Sequence, residues 1–393
     1  MRGNRTNYGA TVVLAVAVVG CLWCAQARAD DSVSSLKAPK FRVDPFWPKP
    51  LPDNWVTGEV GGTCIDSQDH VFIVTRGFQT GGLVSPEGVA GKPTKSKASP
   101  PAIEFDPDGN VVNSWGNPAI EPAGSPNAGK NSVLPNGIHG CFVDFEDNVW
   151  IAGNGDGVVQ KYSHDGSTLL LQIGTKFICD SPSGACGNAM LEGSSKTLLN
   201  DPADIAVDPS NGDVYIADGY GNHRVVVFDK NGTYLRQMGG VGTGLGQFTA
   251  GDGGHPHCVV LGKDGLVYAC DRGNDRINVY KKDGTPVTEI PVIPGTAALG
   301  TAGSAWDLDF SPDHHQAFLF ESDGGNEVVW IFNHAAALAG LSGALLDGFG
   351  RPGHGVGEFT FLHMIAVDSH GNLYAGETIG GRRIQKFVPV RDD

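Results

Sequence analysis

One pattern of strands and turns recurs along the 393 residues of this chain, and it constrains the fold more than any other feature. Clear copies begin at Leu134, Asp201, Gly254 and Thr360. Each copy has an apolar strand, a turn containing Asn, Asp or Gly, a second strand such as VYIAD and a third such as RVVVFD. Most copies add a fourth strand after an Asp-Gly or Asn-Gly turn. Short strands separated by such turns predict an all-β protein built from four-stranded units.

Two weaker copies begin at Glu59 and Ser304 and bring the number of units to six. In the first, the outer strands follow an insertion rich in Gly, Pro and Ser, from Gly77 to Pro101. Four-stranded antiparallel sheets arranged around an axis form a β-propeller, whereas the strands of a β-sandwich do not repeat in fours. We therefore predict a six-bladed β-propeller as a single domain over residues 30–393, with its repeats in residues 55–393.

The first 29 residues have the features of a secretory signal peptide. Arg2 and Arg5 precede the apolar run ATVVLAVAVVGCLW, and Ala27–Ala29 offers a cleavage site. A lipoprotein signal at Cys21 is the alternative, but its Val-Val-Gly lead fits that motif less well. The run is short for a membrane span, and no later segment is long and apolar enough. We expect an exported protein, periplasmic or secreted, with no membrane span.

Acidic residues outnumber basic ones, 43 to 28, which gives a net charge of −15. A nucleic-acid partner requires a basic face, and the sequence contains no basic cluster. The charge balance therefore argues against nucleic-acid binding. We expect a monomer that binds a small molecule or a peptide.

The cysteines are compatible with disulfides, which export permits. Those that follow the signal peptide are Cys64, Cys141, Cys179, Cys186, Cys258 and Cys270. The third and fourth flank the turn-rich loop DSPSGA and are the strongest candidates for a bridge, and the last two flank a predicted hairpin. The first two lie on strands of neighbouring blades. Connectivity is not determined by sequence alone.

Histidines recur at one position of the repeat. Counting back five residues from the residue that opens the first turn of each unit gives Gly61, His139, Ala203, His257, Trp306 and His363. A single histidine on a strand is usually a packed polar residue. Histidines in alternate blades of a six-bladed propeller, however, lie about 120° apart on the strands that line the central channel. Three imidazoles that leave a fourth position open are typical of catalytic zinc, although imidazole also binds Fe, Cu and Ni.

The second strands of the units end at the same rim. Arg76 in unit one and Arg272 in unit four share a register, and unit three has Gly219 there, followed by Tyr220. Arginine suits bidentate binding of a carboxylate, and a phenol near a metal can accept a proton. A surface salt bridge or a packed ring is the alternative for each residue. With the histidines, these residues predict a site with a metal, a general base and an anion clamp.

The units resemble NHL repeats, and the predicted site resembles that of the peptidyl-α-hydroxyglycine α-amidating lyases (peptidylamidoglycolate lyases). The sequences GIHGC, GHPHC and FLHMI surround the three histidines, TRG and CDR contain the arginines, and ADGYGNHR contains the tyrosine. The resemblance implies a zinc ion held by His139, His257 and His363, with Tyr220, Arg76 and Arg272 as catalytic residues. It implies an enzyme that cleaves a peptidyl- or N-acyl-α-hydroxyglycine into an amide and glyoxylate, with both arginines on the substrate carboxylate.

This sequence also departs from that family. Met364 follows the third histidine, where the family has an aspartate that helps hold a structural calcium ion, and a thioether does not ligate calcium. Phe361 replaces a methionine two residues before the same histidine. Two other functions stay open: a binding protein without catalysis, and a lactonase-like propeller hydrolase. The second usually holds calcium through carboxylates and amides, and the imidazoles here disfavour it.

Overall fold

The computed structural model describes residues 36–76, 97–116, 134–187, 193–250 and 253–390. The predicted signal peptide and most of the insertion from Gly77 to Pro101 lie outside these ranges. The described residues form six four-stranded sheets, and successive strands within each sheet are antiparallel neighbours. The prediction of an all-β, six-bladed β-propeller is therefore confirmed.

The strands follow the repeat in chain order. Ahead of the first blade lie β1 (Lys40–Asp44) and β2 (Trp55–Val56). Blade one contains β3 (Val60–Ile65), β4 (Val71–Thr75), β6 (Ala102–Phe105) and β7 (Val111–Trp115), and β5 (Lys97–Ala98) pairs in parallel with β2. Blade two contains β8 (Ile138–Val143), β9 (Val149–Gly153), β10 (Val158–Tyr162) and β11 (Leu169–Gly174). Blade three contains β12 (Asp204–Val207), β13 (Val214–Asp218), β14 (Arg224–Phe228) and β15 (Tyr234–Gly239).

The remaining blades continue this order. Blade four contains β16 (Val259–Leu261), β17 (Leu266–Asp271), β18 (Arg276–Lys281) and β19 (Pro286–Pro291). Blade five contains β20 (Asp307–Phe310), β21 (Phe318–Asp323), β22 (Val328–Asn333) and β23 (Leu345–Phe349), with one helical turn, α1 (His334–Leu338), between its last two strands. Blade six contains β24 (Leu362–Val367), β25 (Leu373–Glu377) and β26 (Arg383–Val390).

The ring closes through the N-terminal strand. β1 pairs antiparallel with β26, from Lys40 opposite Val390 to Asp44 opposite Lys386, and supplies the outer strand of blade six. Pairing the two ends of the chain removes the open sheet edge that an incomplete blade would leave.

Packing between blades forms the core. The second strands are buried along nearly their whole length, and β9 and β13 completely so, because neighbouring sheets cover both of their faces. Trp150 of blade two packs in one cluster with Ile205 and Ile216 of blade three, and such clusters recur around the ring. The outer strand β15 instead alternates between covered and exposed residues. Inner strands thus have fixed positions, which matters for any side chain that they place in the channel.

Three disulfides are present, and they include Cys179–Cys186, the pair that the sequence favoured. Cys179–Cys186 closes the short loop, Cys258–Cys270 lies within blade four, and Cys64–Cys141 joins β3 to β8 across blades one and two. Their number indicates an oxidising, exported compartment. Among the residues that the structure describes, no helix has the length and apolar character that a membrane span requires.

Candidate metal centre

The three predicted histidines meet on the propeller axis. The ring centroids of His139, His257 and His363 lie 4.7 to 4.9 Å from one another, and all three side chains are buried. Their nitrogens form a group that could hold a metal ion. The prediction that histidines at one repeat position in alternate blades converge is therefore met, because equivalent positions on inner strands lie at equal depth.

Each imidazole is fixed by the blade that follows it. The Nδ1 atoms of His139, His257 and His363 lie 2.8, 2.6 and 2.9 Å from backbone carbonyl oxygens. Those carbonyls belong to Ala203, Trp306 and Gly61, which are the residues at the same repeat position in the next blades. A carbonyl only accepts, so each Nδ1 carries the hydrogen and each Nε2 presents a lone pair. Ligating histidines are commonly oriented in this way.

Burial favours the neutral form of these rings. Loss of solvent lowers the pKa of all three imidazoles well below its usual range, and the charge of Arg272 lowers each further. Neutral imidazole is the form that binds a metal. The Nε2 atom of His257 is buried and has no hydrogen-bond partner among the described residues, and such atoms are rare without a ligand. The donor set therefore fits a metal ion.

Tyr220 lies beside this group. Its hydroxyl oxygen is 3.2 Å from Nε2 of His139 and accepts a hydrogen bond, also 3.2 Å, from Nη2 of Arg272. Gly219 precedes it, and a Cβ atom there would lie 1.8 Å from the carbonyl oxygen of Pro256. This close approach explains why unit three has glycine at the register where units one and four have arginine. The phenol thus contacts both a predicted ligand and a predicted anion-binding residue.

Arg272 is buried and held between aromatic rings. Its guanidinium carbon lies 4.3 Å from the centroid of the Trp306 ring and 5.5 Å from that of Tyr220. Stacking of this kind fixes the plane of a guanidinium, the group that binds carboxylates through its edge. Trp306 shares the repeat position of the three histidines, but that position alone does not predict its contact with Arg272.

Arg76 lies near the histidines but has partners of its own. Its Nε donates to the carbonyl of Ile138 at 2.7 Å, and its Nη1 lies 3.1 Å from the Glu59 carboxylate. Arg382 binds the other oxygen of Glu59 at 3.2 Å. Arg76 therefore forms a salt bridge with Glu59, which was the alternative to a role in anion binding. Sequence reasoning missed Glu59, which gives no signal of its own at the start of unit one.

A second histidine of GHPHC was also missed. His255 is buried, and its Nδ1 accepts the backbone N–H of Gly273 at 3.2 Å. Burial, with the charge of Arg272, lowers its pKa to about 3. The register of the repeat selects only His257 from this segment, so proximity in sequence was the one signal for His255. It orders the backbone next to Arg272.

The inner strands that carry the histidines are tied to the preceding blades. Asp204 accepts the backbone N–H of Val259 at 3.0 Å, and Asp307 accepts that of Ile365 at 2.8 Å. These N–H groups lie two residues after His257 and His363. The corresponding residue after His139 is Cys141, which the disulfide to blade one holds instead. Met364 lines the central channel. It stands where the amidating lyases have an aspartate, so this position offers no side-chain oxygen as a ligand.

Comparison with known proteins agrees with the repeat. The NHL repeat matches residues 199–228. NHL repeat-containing protein 3 of Mus musculus is 28% identical over 368 residues, which cover 90% of this chain and 86% of that protein. Peptidyl-alpha-hydroxyglycine alpha-amidating lyase 1 of Drosophila melanogaster is 27% identical over 271 residues, which cover 64% of this chain and 44% of that protein. A solved streptogramin B lyase has a TM-score of 0.46 and 14% identity, covering 90% of this chain and 88% of its own. The chain is thus a six-bladed propeller with an NHL repeat, related at low identity to NHL repeat-containing proteins and to amidating lyases.

Proposed function

We propose that this protein is a zinc-dependent carbon–nitrogen lyase that cleaves a peptidyl- or N-acyl-α-hydroxyglycine into an amide and glyoxylate. The observation that carries the proposal is the convergence of three buried, neutral imidazoles beside one phenol and one stacked guanidinium. His139, His257 and His363 would hold the metal through Nε2. A zinc ion bound there supplies Lewis-acid polarisation of the substrate hydroxyl, and iron is the alternative metal.

Tyr220 moves the proton in this proposal. The reaction removes a hydrogen from the substrate hydroxyl, forms the carbonyl of glyoxylate, breaks the C–N bond and delivers a hydrogen to the amide nitrogen. The Tyr220 oxygen accepts the first hydrogen and returns it to the nitrogen, so the reaction needs no other reactant. The hydrogen bond from Arg272 holds this oxygen in place for the transfer.

Arg272 binds the substrate carboxylate. Its guanidinium is already oriented by two rings, so little conformational freedom is lost on binding. Arg76 adds positive charge at the same rim, although Glu59 and the Ile138 carbonyl occupy part of its donor set. Holding the carboxylate fixes the reacting C–N bond relative to Tyr220.

The test uses the full mature chain. After chelation and reloading with zinc, the protein is incubated with N-benzoyl-α-hydroxyglycine, and glyoxylate is measured against a control without protein. We expect zinc-dependent glyoxylate from the wild type and none above the control from His257→Ala. A fully zinc-loaded protein that releases no glyoxylate would contradict the substrate assignment.

A binding protein without catalysis is the second candidate, because NHL repeat-containing protein 3, whose name gives no activity, matches more of this chain than the lyase does. That function predicts no metal in the purified protein. Metal analysis after purification therefore separates the two candidates before any substrate is tried.

A further inference from the structure

We propose a second metal site at the opposite end of the propeller, formed by Asp66, His70 and Glu104 of blade one with His164 of blade two. Asp66 follows the end of β3, whereas Gly61, at the register of the three histidines, lies near its start. Five residues of extended strand separate the two positions by about 16 Å. The second site would bind a divalent first-row transition metal such as zinc.

The donor atoms are already close together. Nδ1 of His70 lies 2.6 Å from a Glu104 oxygen and 3.7 Å from a carboxylate oxygen of Asp66. Nε2 of His164 lies 2.9 Å from the same Asp66 oxygen. Asp66 and Glu104 are buried, and the ligand atoms of Asp66, His70 and Glu104 all fall within 4.8 Å of one another. Ligands of a tetrahedral ion are about 3.3 Å apart, so Asp66, His70 and Glu104 are near that spacing, and His164 would join them from its contact with Asp66.

The corresponding position in blade two has the opposite charge. Glu104 pairs with Phe72 across β6 and β4, as Lys161 pairs with Trp150 across β10 and β9. In blade two, Lys161 lies 2.9 Å from the buried carboxylate of Asp144, which also accepts from Nε1 of Trp150 at 2.8 Å.

Blade one lacks both of those donors. Phenylalanine replaces the tryptophan and glutamate replaces the lysine, so two buried carboxylates face each other. Within the described part of the chain, the side-chain partners of Glu104 and of the Asp66 carboxylate are imidazoles and no lysine or arginine. Buried carboxylates without a fixed cation are costly unless a proton or a metal ion compensates them.

The imidazoles favour a metal ion. His70 occupies the position of Asn148 in blade two and Asn372 in blade six, four residues after the turn aspartate, and keeps their backbone bond to it. The backbone therefore does not require histidine there. Two imidazoles with two carboxylates are a ligand set that zinc, manganese and iron accept. Because His164 comes from the turn after β10, the ion would link blades one and two at the end opposite the proposed catalytic site.

The experiment measures zinc in a protein whose axial site has been removed. The double variant His257→Ala, His363→Ala is loaded with zinc, dialysed and analysed by elemental mass spectrometry. We expect it to retain about one zinc ion per chain, against about two in the wild type. Adding Glu104→Lys gives blade one the ion pair of blade two, and adding His70→Asn gives it the asparagine of blades two and six. Each should reduce the retained zinc at least about tenfold.

The matched control is His370→Ala, since the His370 side chain is largely exposed and lies 3.6 Å from an Asp69 carboxylate. It should leave the retained zinc unchanged. Circular dichroism confirms that each variant is folded. Glu104→Lys and His70→Asn each introduce a residue that another blade has at the same position, so we expect neither to disrupt the fold. A double variant that retains no zinc, or zinc that survives both Glu104→Lys and His70→Asn, would overturn the proposal in favour of protonated imidazoles. Lyase activity plays no part in either outcome.

Discussion

His363 donates its Nδ1 hydrogen to the backbone carbonyl of Gly61, 2.9 Å away, across the junction between the last blade and the first. The two residues are 302 positions apart in the sequence. Blade six is completed by β1, so the orientation of one predicted ligand depends on the pairing of the chain's two ends. Ring closure and the candidate metal centre are therefore coupled.

Substitution of Phe41 tests this coupling. Phe41, on β1, packs against Phe349 at 4.9 Å and Phe320 at 5.6 Å. We expect Phe41→Ala to lower the free energy of unfolding by roughly 1–3 kcal/mol, measured by urea titration, because a partly buried ring is removed. Zinc affinity should fall with it. Phe46→Ala is the control, since that ring is 75% exposed and should change neither quantity.

The role of Tyr220 predicts a change in rate without a change in metal content. Tyr220→Phe removes the hydroxyl that contacts His139 and Arg272. We expect kcat for glyoxylate release to fall about 10²- to 10⁴-fold, while zinc per chain is unchanged. Tyr234→Phe, on the half-buried outer strand β15, is the control. A Tyr220→Phe enzyme that retained full kcat would exclude the phenol as the proton carrier.

The two arginines should differ in importance. Arg272→Lys loses a planar group stacked on Trp306, and we expect kcat/KM to fall at least about 10²-fold. Arg76 shares its guanidinium with Glu59 and the Ile138 carbonyl, so Arg76→Lys should cost about tenfold or less. Steady-state kinetics on both variants distinguishes the cases. Equal effects would mean that both arginines contact the substrate in the same way.

The disulfides should stabilise the fold unequally. Cys64–Cys141 spans 77 positions and Cys179–Cys186 spans 7. Loop-closure entropy of the unfolded chain gives about 4.5 kcal/mol for the first and about 2.4 kcal/mol for the second. Replacing each pair by serine and measuring unfolding in urea should show the larger loss for Cys64 and Cys141. The same variant should bind zinc more weakly, because Cys141 follows His139 by two residues.

Repeat symmetry explains how much of the site the sequence could predict. His139, His257 and His363 share one register, and a propeller places equal registers at equal depth, so their convergence follows from the alignment alone. This convergence depends on the period of the repeat and on no individual side-chain contact.

Contacts between different registers could not be predicted in that way. Glu59 forms an ion pair with Arg76, 17 positions away, and His164 contacts Asp66, 98 positions away. The two residues of each pair stand at unrelated positions of the repeat. The stacking of Trp306 on Arg272 depends on side-chain conformation across two blades. Such contacts depend on the relative placement of packed blades, which the repeat pattern does not encode.

Asp309 should make stability depend on pH. Burial in the channel raises its pKa to about 6, although its carboxylate accepts the backbone N–H groups of Phe310 and Val367. The folded state thus holds this proton more tightly than the unfolded state, whose pKa is about 3.9. The free energy of unfolding therefore falls as pH rises from about 4 to about 6 and then levels off. Replacing Asp309 by a neutral residue should therefore raise the free energy of unfolding only at the upper end of this pH range.

We accordingly expect Asp309→Asn to gain roughly 1–2 kcal/mol relative to the wild type between pH 4 and pH 8, a value reduced for the partial exposure of the group. Loss of the Asp309 charge also removes one repulsion that raises the pKa of Asp307, which acts in the same direction. Asp283→Asn is the control for the direction of the pH effect, because hydrogen bonds from Thr285 lower the pKa of Asp283, whereas the pKa of Asp309 is raised. That variant should be less stable than the wild type at and above about pH 4, and the difference should shrink as pH falls below 4, because Asp283 of the wild type then becomes protonated. Urea titrations at several pH values measure both slopes, and parallel slopes for the two variants would contradict the assignment of Asp309 as a buried, destabilising charge.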